Sequence, residues 1–412
     1  MSFQSGLSGL NASTKHIDII GNNIANANTA GFKGSRAIFG DVYASSLAGA
    51  GANNVGIGTK ISEVQQEFTQ GNITVTNNPL DIAINGRGFF RFENGSVTTY
   101  SRNGQLHVDQ LGYIVNSDNL RLTGYPVDAT NSIIASSPTA LRLTTSDLQP
   151  RPTSIVQTTL NLDSRSDPIA AAFSPTNAAT YTSTTSTGVY DSLGNSHAVT
   201  MYFSKTANPG EWDLYATVDG GGVADVDFGA GAGLPMTLTF DNTGLLTTPM
   251  PMNNVALTLT NGAVTPLVTN FDFTGTTQFG SDFGVTTLSQ DGYTSGRLTG
   301  FDISPDGMVL GRYSNGQANT LGQVVLANFA NPQGLRSVGG NQWEETAASG
   351  QAVIGSPLSG SMGALQSAAI EDSNVDLTEE LVNMITAQRA YQANAQAIKT
   401  QDQTLQTIVN LR

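Results

Sequence analysis

Residues 377–412 read LTEELVNMITAQRAYQANAQAIKTQDQTLQTIVNLR. A spacing of four and three runs through Leu377, Leu381, Met384, Gln388, Tyr391, Ala395, Ile398, Asp402, Leu405, Val409 and Arg412, and eight of these eleven positions are apolar. An interval averaging 3.5 residues keeps one helix face toward a partner, so the stretch reads as a coiled-coil seam. Asp376 or Asn374 can cap its start, and Glu379 and Glu380 suit the positive end of the helix dipole. At 1.5 Å per residue the helix is about 50 Å long. The first residues carry a weaker version of the pattern in Phe3, Leu7, Leu10, Ile17 and Ile24, with Ile20 beside them. Gly6, Gly9 and Gly21 each cost about 1 kcal/mol relative to Ala in a helix interior, so this segment is marginal alone. An amphipathic helix lying on the chain's own core is the ordinary explanation of such stripes. Here both are terminal, and β-like sequence separates them. We therefore expect the two ends to pair with each other and with other copies of the chain.

All 15 prolines lie between Pro79 and Pro357, which leaves both ends free to be helical and punctuates the middle as strands and turns. Asp-x-x-Gly recurs between alternating apolar runs at Asp109–Gly112, Asp191–Gly194 and Asp241–Gly244. Asp opens such a turn through its side chain and Gly closes it in the left-handed conformation, the signature of antiparallel hairpins. From residue 143 to 296 there are 3 basic and 13 acidic residues, so this stretch holds −10 of the chain's −14. That shift marks an insert. The expected fold is mixed but mainly β and nested. Residues 1–30 plus 370–412 form a terminal helical domain, and 31–70 plus 358–369 are connecting segments. Residues 71–142 plus 297–357 form an inner β domain, and 143–296 an outer β domain inserted in it.

Composition narrows the function. Only 12% of the 412 residues are charged, and the acidic balance disfavours nucleic acid, whose phosphates need clustered Lys and Arg. No apolar run is long enough for membrane insertion. No secretory signal is expected, because no apolar core follows the first basic residue, Lys15. With no cysteine, disulfides, zinc–thiolate sites and Cys nucleophiles are excluded.

Catalytic patterns fail in turn. None of the five lysines follows a Gly, so there is no phosphate-binding loop, and no Gly-x-Ser-x-Gly elbow occurs. His16, His107 and His197 lack metal-ligand spacing. Ser196-His197 near Asp191 reads as a hairpin arm rather than a triad. Asp219-Gly220-Gly221-Gly222 with Asp225 and Asp227 reads as a turn rather than a calcium repeat. The adjacent carboxylates Glu344-Glu345, Glu371-Asp372 and Glu379-Glu380 are expected to be solvated. The sequence offers no catalytic, cofactor-binding or metal-binding residues, no cofactor and no enzyme.

Ser8-Gly9-Leu10-Asn11-Ala12 and the run Ile17–Lys33, with Asn22, Asn23, Asn26, Gly31 and Phe32 as its signature positions, resemble the N-terminal motif of the bacterial flagellar rod and hook axial proteins. Ser373–Ile385 and Gln388–Ala395 resemble the C-terminal motif of that family, and Leu80–Phe90 and Tyr100–Gly104 agree internally. The length and the insert favour a hook-type member over a shorter distal rod-type one. The resemblance implies a self-assembling structural subunit of a curved tube that transmits torque from rod to filament, with the terminal helices innermost. By the same resemblance its partners are itself, the distal rod, the hook cap, the hook–filament junction proteins and the flagellar type III export apparatus. It implies an extracellular flagellar location reached without a cleaved signal. The expected assembly residues are Leu7, Leu10, Ile17, Ile20, Ile24, Leu377, Leu381, Met384, Ile385, Tyr391, Ile398, Leu405 and Val409. A secreted β-rich adhesin is the alternative of a different class, and it leaves the terminal seams unexplained.

Overall fold

The computed structural model describes residues 3–42, 56, 58–95, 97–128, 131–143 and 146–410. The chain forms two compact units, one from residues 1–145, 300–312 and 318–412, the other from 146–299 and 313–317.

The first unit holds both long helices, α1 (Phe3–Ala25) and α2 (Leu377–Asn410). Asp376 caps α2, its Oδ1 accepting from the Thr378 and Glu379 amides at 2.7 and 3.1 Å. Asn374, the other candidate cap, instead accepts from the Gly34 amide and donates to the Glu67 carbonyl. The segment after α1 carries two strands. It folds into an antiparallel hairpin, β1 (Ser35–Val42) with β2 (Gly58–Gln66), lying along α1. The Thr59 amide donates to Ser8 Oγ at the far end of this hairpin, and Trp343 Nε1 donates to Gln66 Oε1 at its near end.

Most of the remaining strands of the first unit form a large sheet, while 82–85 with 364–367 and 73–75 with 369–371 form two separate antiparallel pairs. Along its path 298–303, 308–313, 318–324, 121–125, 89–94, 97–101, 342–344 and 336–339 lie side by side. Alternating residues send Phe90, Phe92, Leu122, Val324 and Leu326 into one core with Ile82, Ile84 and Leu365. Phe89, Tyr100, Phe329 and Trp343 make a second, with edge-to-face ring contacts that Phe68 joins.

The second unit is a sandwich. Strands 226–227, 252–257, 267–272, 155–161 and 284–290 form one sheet, and 183–190, 196–205, 211–218 and 236–239 the other. Val156, Leu160, Val255, Leu257 and Phe271 share one buried cluster with Val199, Met201, Phe203, Trp212 and Leu214. One pairing departs from the antiparallel expectation: 155–161 runs parallel to 267–272.

The Asp-x-x-Gly turns close as their chemistry requires. Oδ1 of Asp109, Asp191 and Asp241 each accepts from the amides two and four residues on, at 2.8–2.9 Å. Gly112, Gly194 and Gly244 have φ of 87°, 86° and 82°, where a side chain is strained.

Candidate assembly surface

The two helices run antiparallel. A Cβ on Gly6 would sit 2.9 Å from Ile398 Cγ1, one on Gly9 would sit 2.9 Å from Asn394 Nδ2, and Asn23 Nδ2 donates to Glu380 Oε1 at 2.8 Å. The glycines that weaken α1 as an isolated helix are therefore where α2 comes closest. No such contact explains Gly21, which has nothing within 4 Å of a Cβ.

Asn23 is buried and uses its whole amide. Its Oδ1 accepts from the Ser35 amide, and its Nδ2 donates to the Ser35 carbonyl and to Glu380, which ties α1 to β1 and α2. Asn22 is exposed, and Asn26 folds back on the Asn22 carbonyl to end the helix. Gly31, with φ of 71°, donates its amide to the Glu371 carbonyl, and a Cβ there would lie 2.5 Å from the Asn103 nitrogen. Phe32 is half-buried, its amide donating to the Thr29 carbonyl.

Glu371 corrects the sequence reading. It was expected in solvent, yet its side chain is fully buried between Lys33 Nζ at 2.6 Å and Arg102 Nη1 at 3.1 Å. The Gly71 amide donates to the same carboxylate, Lys33 also donates to the Thr69 carbonyl, and Arg102 to the Gly86 carbonyl. Burial pushes the Lys33 ammonium and the Arg102 guanidinium below their ordinary values, against the pull of Glu371. This triad links the segment after α1, the sheet and the segment before α2. Beside it, α1, β1 and the head of α2 enclose a groove of about 400 Å³ lined by His16, Ile20, Ala37, Glu67, Asp376 and Glu380.

The seam divides into two faces. Ala387, Asn394 and Ile398 lie on the side toward α1, where Ala387 is buried and Met384 half-buried. Leu377, Leu381 and Ile385 follow at four-residue steps on another side and stay 46%, 46% and 51% exposed, with Val382 beside them. Leu405 lies beyond Phe3, where α1 begins, and is exposed, as is Tyr391. On α1, Ile20 is buried, Leu10, Ile17 and Ile24 are half-buried, and Leu7 is exposed with Phe3. Val409 belongs to α2, but its side chain lies outside the described residues. Sequence reasoning missed Gly6, Gly9, Glu380 and Ala387. The last two fall on a stripe displaced by one residue from the one read, and small residues facing one another were the available signal.

No helix among the described residues is long and apolar enough to cross a membrane, and no described group of acidic or histidine side chains is arranged to hold a metal.

Comparison with known proteins gives a consistent result. The family described as "Flagellar basal body rod protein" matches residues 3–33, and the "Flagellar hook protein FlgE/F/G D1 domain" matches 83–148. The "Flagellar basal body protein FlaE D2 domain" matches 161–293, and the "Flagellar basal body rod FlgEFG protein C-terminal" family matches 366–411. The flagellar hook protein FlgE of Escherichia coli (strain K12) is 43% identical over the whole of both chains. That of Treponema pallidum is 32% identical over 99% of this chain and 98% of its own. The crystal structure of Helicobacter pylori flagellar hook protein FlgE2 superposes with a TM-score of 0.50 at 13% identity, covering 73% of this chain and 99% of that one, a likeness of fold.

Proposed function

The chain belongs to the flagellar hook protein family, and from that premise we propose how its parts serve a hook subunit, a structural protein that polymerises with copies of itself in the flagellum. The α1–α2 pair forms the inner layer of the tube. The face carrying Leu377, Leu381 and Ile385, together with Phe3, Leu7, Tyr391 and Leu405, takes the neighbouring copies. The observation that carries this reading is the line of large apolar side chains that α2 leaves in solvent although α1 is already packed on it. Burying one Leu or Ile side chain contributes roughly 1.5–3 kcal/mol, so a few such positions offset the cost of ordering two helices against a neighbour.

The division into a terminal helical domain (1–30 plus 370–412), connecting segments (31–70 plus 358–369), an inner β domain (71–142 plus 297–357) and an outer one (143–296) is part of the proposal. So are the finer assignments: contact with the distal rod, hook cap and hook–filament junction proteins, and delivery by the flagellar type III export apparatus without a cleaved signal. The chain works by assembly rather than catalysis. Helices stiffened by the triad carry torque, and β surfaces poor in charge let neighbours slide as the tube bends.

The test is polymerisation of purified variants followed by sedimentation and electron microscopy. Leu381→Asp places a carboxylate where an apolar contact must close and is expected to abolish most of the polymer. Thr386→Asp and Thr404→Asp, exposed and off that face, are expected to leave it. Normal tubes from Leu381→Asp, with its helices intact by circular dichroism, would refute the assignment of the surface.

A further inference from the structure

His197 is the second residue of the strand 196–205 of the second unit and is 7% exposed. Both ring nitrogens face carboxylates. Nδ1 lies 2.6 Å from Asp219 Oδ2, at the end of the neighbouring strand, and Nε2 lies 3.1 Å from Asp191 Oδ2, in the turn that precedes it. The loop after strand 252–257 adds a third partner, Asn261, whose Nδ2 is 2.5 Å from Asp191 Oδ2 and 3.1 Å from His197 Nε2. Among the described residues, Asp191 and Asp219 are the charged groups in hydrogen-bond contact with the ring.

An imidazolium donates from both nitrogens, whereas a neutral imidazole donates from one and accepts at the other. The Asp219 carboxylate can only accept, and the Asn261 amide beside Nε2 can donate to it, so the arrangement favours the proton on Nδ1 in the neutral ring as well. Nε2 alone can change role, and each role has a partner already in place: Asp191 for a donor, the Asn261 amide for an acceptor. We infer that His197 is a two-position proton switch. Protonated, it is tied through Nε2 to the Asp191 turn; neutral, it is tied through Nε2 to the Asn261 loop. No backbone rearrangement is needed, because the Asn261 amide has a second hydrogen free of Asp191. The switch sits where looseness would matter. A Cβ on Gly194 of the same turn would lie 2.8 Å from Pro150 Cβ and 3.4 Å from the Ser295 nitrogen, beside the passages by which the chain enters and leaves the unit.

The direction of the pH effect follows from the surroundings. Burial opposes charging the ring, but hydrogen bonds and charges from Asp219 and Asp191 outweigh it and raise its pKa. Burial likewise opposes charge on Asp191, yet donors from Asn195, Asn261 and His197 hold its carboxyl below the usual range, and His197 and the Ala198 amide do the same for Asp219. A histidine raised on folding stabilises below its unfolded value of about 6.5, and that contribution is lost as pH rises through the folded value. The two aspartates contribute above about pH 3.9 and lose it on acidification. The cluster is firmest between these limits.

Histidine-labelled full-length chain in monomeric form tests this by nitrogen NMR, with His197→Gln assigning the signal among the three histidines. The His197 ring is expected to titrate above about 6.5 and, once neutral, to keep its proton on Nδ1 while Nε2 takes the shift of an accepting nitrogen. Asn261→Leu removes the acceptor state's donor and should move the midpoint up, whereas Asp219→Asn should move it down by on the order of one pH unit. A midpoint at or below 6.5, a neutral ring protonated on Nε2, or a downward shift from Asn261→Leu would each overturn the switch. The tautomer in the unsubstituted chain decides the matter even if a variant fails to fold.

Discussion

Glu371→Gln is the substitution expected to damage the first unit most for the fewest atoms changed. The native carboxylate offsets two buried cations, so the triad carries a net charge of one, and neutralising Glu371 leaves Lys33 and Arg102 facing each other's charge without an anion. Gln keeps the volume and an oxygen for the Gly71 amide, so packing loss is small and the electrostatic loss is isolated. Removing one member of a buried ion pair costs about 3–5 kcal/mol, a large part of the stability of an ordinary domain. Lys33→Met should cost less, because Arg102 and Glu371 remain a compensated pair. The two tryptophans provide the assay: Trp343 is buried in the first unit and Trp212 in the second, so a Trp212→Phe background reports denaturant unfolding of the first unit alone. The sign of the pH dependence is a further check. Burial lowers Lys33 and Glu371 pulls it back up, so in Glu371→Gln the folded chain gives up the Lys33 proton at a lower pH than the native fold does, and the deficit should shrink as pH rises through that range below the ordinary value of 10.5. A loss under about 1 kcal/mol, or Lys33→Met costing more than Glu371→Gln, would refute the reasoning that the triad is electrostatically closed by Glu371.

Gly9→Val should displace the Asn394 amide, whose Nδ2 would already lie 2.9 Å from its first carbon, and loosen the helix pair; protease should then trim the termini faster than in the unsubstituted chain while Trp343 stays buried. Asn23→Ala leaves the Ser35 amide and carbonyl without their side-chain partner and should cost about 1–3 kcal/mol in the same fluorescence assay.

The terminal helices were legible because a four-three spacing has one structural meaning over such a length, and the Asp turns because one side chain makes the turn by itself. The shift in charge over 143–296 is legible as a change of composition along the chain. What was not legible depended on distance along the chain. Glu371 and Asp372 look alike in sequence, and only one meets Lys33 and Arg102, 338 and 269 residues away. Gly6 and Gly9 read as weaknesses until α2 is laid against them. The hairpin 35–66 lacks the clean alternation of a core strand because it lies on a helix, with half-buried and exposed residues along both arms. His197 reads as a hairpin arm, which it is; its third partner, Asn261, lies 64 residues on.

The pairing of the two chain ends has a consequence in time. The second unit draws almost wholly on one continuous stretch, 146–299, so it can close while later residues are still arriving. The first unit cannot. Asn23 waits for Glu380, 357 residues later, and Lys33 for Glu371, so a chain delivered amino end first holds α1 against its own hairpin alone until α2 appears. The exposed side of α2, which we propose takes the neighbouring copies, is then among the last parts of the subunit to form, and a chain that lacks it is expected not to polymerise.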